Sequence, residues 1–127
     1  MNGKRQIIGF MQGRFSPLVN GKIQAFPWDS WSEEFSVANE NDFNIIEWTL
    51  DQDRLYENPF MKDAGQREIK TLSNKFDISI LSLTGDCFMQ APFYKVDGFK
   101  SESLLLDLRN VIISCGKLGV KHIVFPL

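Results

Sequence analysis

Residues 101–126, SESLLLDLRNVIISCGKLGVKHIVFP, decide the fold class. Leu104, Leu108, Val111, Cys115 and Leu118 recur at helical spacing behind Ser101, which is placed to cap a helix. Gly119 stops that helix. After two residues an apolar run, 122–126, resumes as a strand. A helix delivered into a strand through so short a link is one half of a β-α-β unit, and the same unit can be read backwards along the chain.

Residues 78–83 form a compact apolar run, preceded by a helix with Ile69, Leu72 and Phe76 on one stripe. Residues 43–48 repeat the strand signal. Before them comes a helix that places Trp31, Phe35 and Ala38 on one face. Ser30-Trp31-Ser32-Glu33 reads as its capping box, in which the Ser hydroxyl and the Glu33 carboxylate would satisfy free backbone N–H groups. Residues 6–11 make a first short buried strand. The order is β-α-β-α-β-α-β, and strands that are nearly continuous apolar runs indicate a parallel sheet covered by helices.

Two architectures compete for that order. A flavodoxin-like doubly wound domain would suit 127 residues, but needs a fifth strand and a closing helix. A (β/α)8 barrel takes about 250 residues, so this chain would supply roughly half. The connections discriminate between them. Residues 12–29, with Pro17, Pro27 and an Asn20-Gly21 hairpin turn, follow a strand, as do the polar loop through Asp51, Asp53 and Asn58-Pro59 and the aromatic segment 85–99. The helix-to-strand links at Asn41-Asp42, Asp77 and Gly119-Val120 are very short. Long loops at the C-terminal ends of strands are what the functional face of a barrel produces. The expectation is therefore an α/β fold, a partial TIM (β/α)8 barrel with the first four strands and three helices on a parallel sheet, in which residues 1–127 are the N-terminal half of one domain.

Composition narrows the partners. Apolar residues make up 43% and charged residues 24%, an ordinary globular balance. No apolar run approaches the roughly 20 residues that cross a bilayer. Residues 7–11 after Lys4-Arg5 are too short for a signal h-region, so the start reads as mature protein. Cys87 and Cys115 form neither a C-x-x-C pair nor a disulfide pattern, which points to a reducing, cytoplasmic setting. A net charge of −2 without a basic run disfavours nucleic acid. Gly9 and Gly13 belong to no phosphate-binding motif, and one His with no second His, C-x-x-C or H-E-x-x-H makes no self-sufficient metal motif.

Several segments taken together resemble the sugar phosphate isomerase/epimerase family, the xylose isomerase-like TIM barrels that also include the endonuclease IV type (AP endonuclease family 2). They are residues 9–17 (GFMQGRFSP), 23–27 (IQAFP), 31–35, 46–48 (IEW), 58–59 and 119–126. The Met-Gln-Gly-Arg turn followed by Ile-Gln-Ala-Phe-Pro is the most specific part. The resemblance implies an eight-unit barrel acting on a small-molecule sugar or sugar phosphate. It also implies a divalent metal (Mn, Mg, Co or Zn) held by acidic and His ligands, most on later strands, with none expected in this chain alone. The chemistry is proton removal next to a carbonyl, with a metal polarising the oxygen and carboxylates moving the proton.

The residues themselves offer candidates for substrate contact. Glu47 ends an otherwise apolar strand, where a buried carboxylate is costly unless paired or ligated; a structural ion pair at the rim is the competing reading. Gln12 and Arg14 follow the first strand, and Arg could grip a sugar phosphate bidentately. Asp86 and Cys87 follow Gly85, where backbone can approach a ligand, although Cys87 lacks a neighbour that would activate a thiolate and reads equally as an inert core thiol. Trp28, Trp48, Phe88 and Phe93 could line a sugar pocket or fill the core. His122 begins the fourth strand and is expected at the opposite, stability face of a barrel.

Three functions follow: a sugar isomerase or epimerase portion, an endonuclease of the same superfamily, and a truncated chain with no activity of its own. The endonuclease is disfavoured by the acidic charge and by the lack of His at early strand ends. A barrel cut at its fourth strand would leave unpaired edges and uncovered apolar inner faces. The expectation is then an oligomer or aggregate formed through open barrel edges.

Overall fold

The structure is a computed structural model that describes residues 6–22 and 25–125. Ile23, Gln24, Lys4, Arg5 and Pro126, on which some of the sequence expectations fall, lie outside the described residues, as does the Phe93 side chain. The elements in chain order are β1 (Gly9–Met11), α1 (Glu33–Glu40), β2 (Ile45–Thr49), α2 (Asp63–Phe76), β3 (Ser79–Thr84), α3 (Asp86–Gln90), α4 (Gly98–Leu118) and β4 (His122–Val124). Short 3-10 turns at Leu55–Glu57, Pro59–Met61 and Phe93–Lys95 break up the connections after β2 and β3.

The four strands form one parallel sheet in the order β1-β2-β3-β4. Ile46 and Trp48 of β2 and Ile80 and Leu83 of β3 are buried against Phe35 and Ala38 of α1, Ile69 of α2 and Val111 and Cys115 of α4. The long helices also pack side by side, α1 on α2 and α2 on α4. They therefore cover one face of the sheet. Trp48 is the centre of this core, with no exposed surface, packed against Phe26, Trp31, Phe35 and Phe60. Its indole Nε1 donates to Asn58 Oδ1 at 3.2 Å, so the ring is buried without an orphaned polar atom.

A β-bulge sets which side chains reach the other face. Ile46 pairs with Ile80, but the next residue, Glu47, pairs with Ser82, and Leu81 is left over. The buried positions of this strand run Ile78, Ile80 and then Leu83, a skip in the period of two. Without the bulge Leu81 would stand beside Glu47. With it, Ser82 and Thr84 do.

Local details differ from the sequence reading at three helix starts. Helix α1 begins at Glu33 with Ser32 preceding it and no side-chain cap bond. Ser30 instead donates to Ser16 Oγ at 2.8 Å, tying the loop to the helix entrance. Helix α4 begins at Gly98, three residues before Ser101. Residues 86–90 form a further helix, α3, where the sequence suggested a loop, because the Cys87 N–H finds the Leu50 carbonyl at 2.9 Å and brings the chain back onto β2. The Asn20-Gly21 turn is a hairpin as read: both residues have positive φ, 51° and 75°, and Val19 and Lys22 exchange backbone hydrogen bonds.

Candidate functional site

The uncovered face of the sheet carries the polar side chains. Cross-strand register lines up Met11, Glu47, Ser82 and His122 in one row, with Thr49, Thr84 and Val124 in the row above. Glu47 is half-buried at the centre. Its carboxylate accepts a hydrogen bond from Ser82 Oγ at 2.8 Å and a second from Thr84 Oγ1, both from the neighbouring strand. Two hydroxyl donors hold the carboxylate in one orientation, leaving lone pairs directed off the sheet.

His122 is the first residue of β4, where the sequence placed it. Because β4 joins β3 only from Ser82 onward, the start of β4 is level with the middle of β2. His122 is exposed and shares the row of Glu47, two strands away, at a backbone separation of about 10 Å from the usual strand spacing. The open face is also less apolar than a cut barrel suggested, with Glu47, Ser82, Thr84 and His122 lying among Met11, Ile45 and Val124.

At the C-terminal end of β1, Gln12 is 1% exposed. Its N–H donates to the Glu47 carbonyl and its Oε1 accepts from the Thr49 N–H, each at 3.0 Å. The Gln12 Nε2 and Thr49 Oγ1 atoms are buried with no hydrogen-bond partner among the described residues. Such groups cost about 1–3 kcal/mol each.

The turn after β1 is organised by a residue that the sequence did not single out. Glu34, in the first turn of α1, is 1% exposed and accepts from Gly13 N (2.9 Å to Oε2) and Phe15 N (3.1 Å), with a Ser16 side-chain bond as well. Burial pushes its carboxyl above the ordinary 4.5, against the lowering effect of those donors. Arg14 is carried out to the surface by this turn, with its guanidinium 3.8 Å from Met11 Sδ.

Asp51, just past β2, ties the three strand-end loops together. Its Oδ2 accepts from Phe26 N and its Oδ1 from Gln90 Nε2, each at 3.0 Å, while Gln90 Oε1 accepts from Gln52 N at 2.7 Å. Beside it opens a cleft of about 710 Å³, lined by the 17–22 hairpin, Trp28, Asp29, Asp53, Arg54 and Gln90. The Arg54 guanidinium lies 3.8 Å from the Trp28 ring centroid, a cation–π contact, and pairs with Glu57 at 3.2 Å. Of the sequence candidates, Trp28 lines this cleft, whereas Gln12, Arg14, Glu47, Trp48, Asp86, Cys87 and Phe88 do not.

The candidates outside the cleft divide by location. Glu47 lies on the open sheet face and Gln12 beneath its rim; Arg14 is exposed beside them. Trp48 points the other way, into the helical layer. Asp86, Cys87 and Phe88 open α3 and are buried, at 5%, 0% and 3% exposure. Phe88 stacks on Phe125 at 5.0 Å, and the Cys87 thiol is pushed up to about 12 by burial, so it is a packing group at neutral pH. Among the described residues no three His, Cys, Asp or Glu side chains converge as a metal site. The signals for Glu34 and Asp51 were weak in sequence, since an acid in a first helical turn or a polar loop is ordinary.

Comparison of the chain with family models gives no match, and comparison with curated proteins gives none either.

Proposed function

We propose that β1 to β4 are successive strands of a xylose isomerase-like (β/α)8 barrel, and that the open face around Glu47 is its inner, substrate-facing side. The single observation that carries this reading is Glu47 itself: a carboxylate in the middle of a sheet face, held by two hydroxyls and with no salt-bridge partner among the described residues. Strand order without reversal, helices on one face only, and the stagger of β4 along β3 all support a closing barrel over a doubly wound sheet.

The substrate class in this reading is a sugar or sugar phosphate, and the reaction is aldose–ketose or epimer interconversion. Glu47 would hold or move the proton on carbon next to the carbonyl, with Ser82 and Thr84 fixing its orientation. Arg14 on the adjacent turn supplies the charge for a phosphate. The divalent metal that the resemblance implies has no ligand set among the described residues, and no step is routed through it.

The test is a titration of the amide spectrum of the protein with aldoses, ketoses and their phosphates. Shifts confined to Gln12, Glu47, Ser82, Thr84 and their neighbours are expected, with affinity about tenfold weaker in Glu47→Gln, a loss of roughly 1.4 kcal/mol. Shifts that avoid this face, or that persist unchanged in Glu47→Gln, refute the assignment.

A further inference from the structure

Helix α4 fills the core with one face and leaves a second apolar face bare. Leu104, Val111 and Cys115 are buried, whereas Leu105, Leu106, Ile112 and Ile113 are 44–53% exposed and Phe99 is 91% exposed. Leu105 and Ile112, Leu106 and Ile113, and Glu102 and Arg109 are three pairs each seven residues apart. With offsets of three and four residues between the pairs, all six fall on one stripe over about three helical turns. This stripe is distinct from the flank that meets α2, where Gln66 bonds Ser114 and Lys117 pairs with Asp63. It also points away from the sheet face that carries Glu47.

We propose that this stripe is the contact surface between two copies of the chain, paired antiparallel through α4. The argument is its self-complementarity. When Glu102 of one copy is set against Arg109 of the second, an antiparallel two-fold returns Arg109 of the first to Glu102 of the second. The same register places Leu105 on Leu106 at the centre and Phe99 on Ile112 at each end. Neither Glu102 nor Arg109 has a salt-bridge partner among the described residues, so both are available for it. A surface that satisfies its own charges and its own apolar groups under one rotation is the signature of an isologous interface. A helix of 21 residues spans about 32 Å, long enough for the core of a small interface. The burial of four aliphatic side chains and a Phe per copy supplies the drive.

Sedimentation equilibrium over micromolar to millimolar concentration tests it. The mass should rise from the 14.6 kDa of one chain toward twice that value. Glu102→Arg and Arg109→Glu should each weaken association about tenfold or more through like-charge contact, and the double reversal should restore it. Leu106→Glu should give monomer with an unchanged circular dichroism spectrum. A wild-type chain that stays monomeric throughout overturns the proposal. So does a dimer that ignores both single reversals, which would place association at the β1 or β4 edge.

Discussion

Replacing Glu34 with Ala isolates what holds the turn after β1 against α1. The variant removes a carboxylate that accepts from two backbone N–H groups, one of them on the buried Gly13. Hydrogen bonds to a charged group contribute about 1.5–3 kcal/mol each, while relief of the carboxylate's burial offsets part of that loss. The expected net cost near pH 7 is about 1–3 kcal/mol, a sizeable share of the roughly 5–15 kcal/mol that a domain has. With a urea slope of about 1–3 kcal/mol per molar, the midpoint should fall by about 1 M.

The pH dependence has a definite sign. Burial holds the folded-state Glu34 carboxyl above the unfolded value of 4.5, so the folded protein binds this proton more tightly. The group's contribution is then complete below that unfolded value and declines as pH rises through the raised folded value. The gap between wild type and Glu34→Ala should be widest at about pH 4 and narrower at about pH 7, read by tryptophan fluorescence in urea. A gap that widens with rising pH would show that the N–H donors outweigh burial and refute the reasoning. Equal midpoints at both values would show that the turn does not depend on Glu34.

Two further outcomes follow from close packing. Gly65 of α2 lies so near the preceding 3-10 turn that an added Cβ would sit 2.3 Å from the Pro59 carbonyl oxygen; Gly65→Ala should lower stability by about 1–3 kcal/mol, seen as a fall in thermal midpoint, despite the better helix propensity of Ala. Cys87 and Cys115, buried and with thiols pushed up to about 12 and about 11, should not react with a thiol reagent near neutral pH until denaturant is added; prompt labelling of the native protein would contradict their burial.

Most of the layer architecture was legible in sequence because it depends on local pattern. Apolar runs of strand length, helical stripes and the contrast of long and short links follow from periodicity alone, and Asn20-Gly21 carried its turn geometry in its residue types. Glu47 was legible for the same reason, as the one charge in an apolar run.

What the sequence could not supply was partnership across strands. The run from Ile78 to Leu83 is apolar enough to conceal a bulge, and only pairing with β2 reveals that Leu81 is skipped and Ser82 and Thr84 meet Glu47. His122 comes level with Glu47 because β4 pairs with β3 only from Ser82 onward, a stagger that neither strand announces in its own residues. Trp48, beside Glu47 in the chain, faces the opposite side of the sheet, as alternation along a strand requires. Local chemistry determined which segments are helices and strands; the register between them, a collective property of the packed layers, decided which side chains stand together.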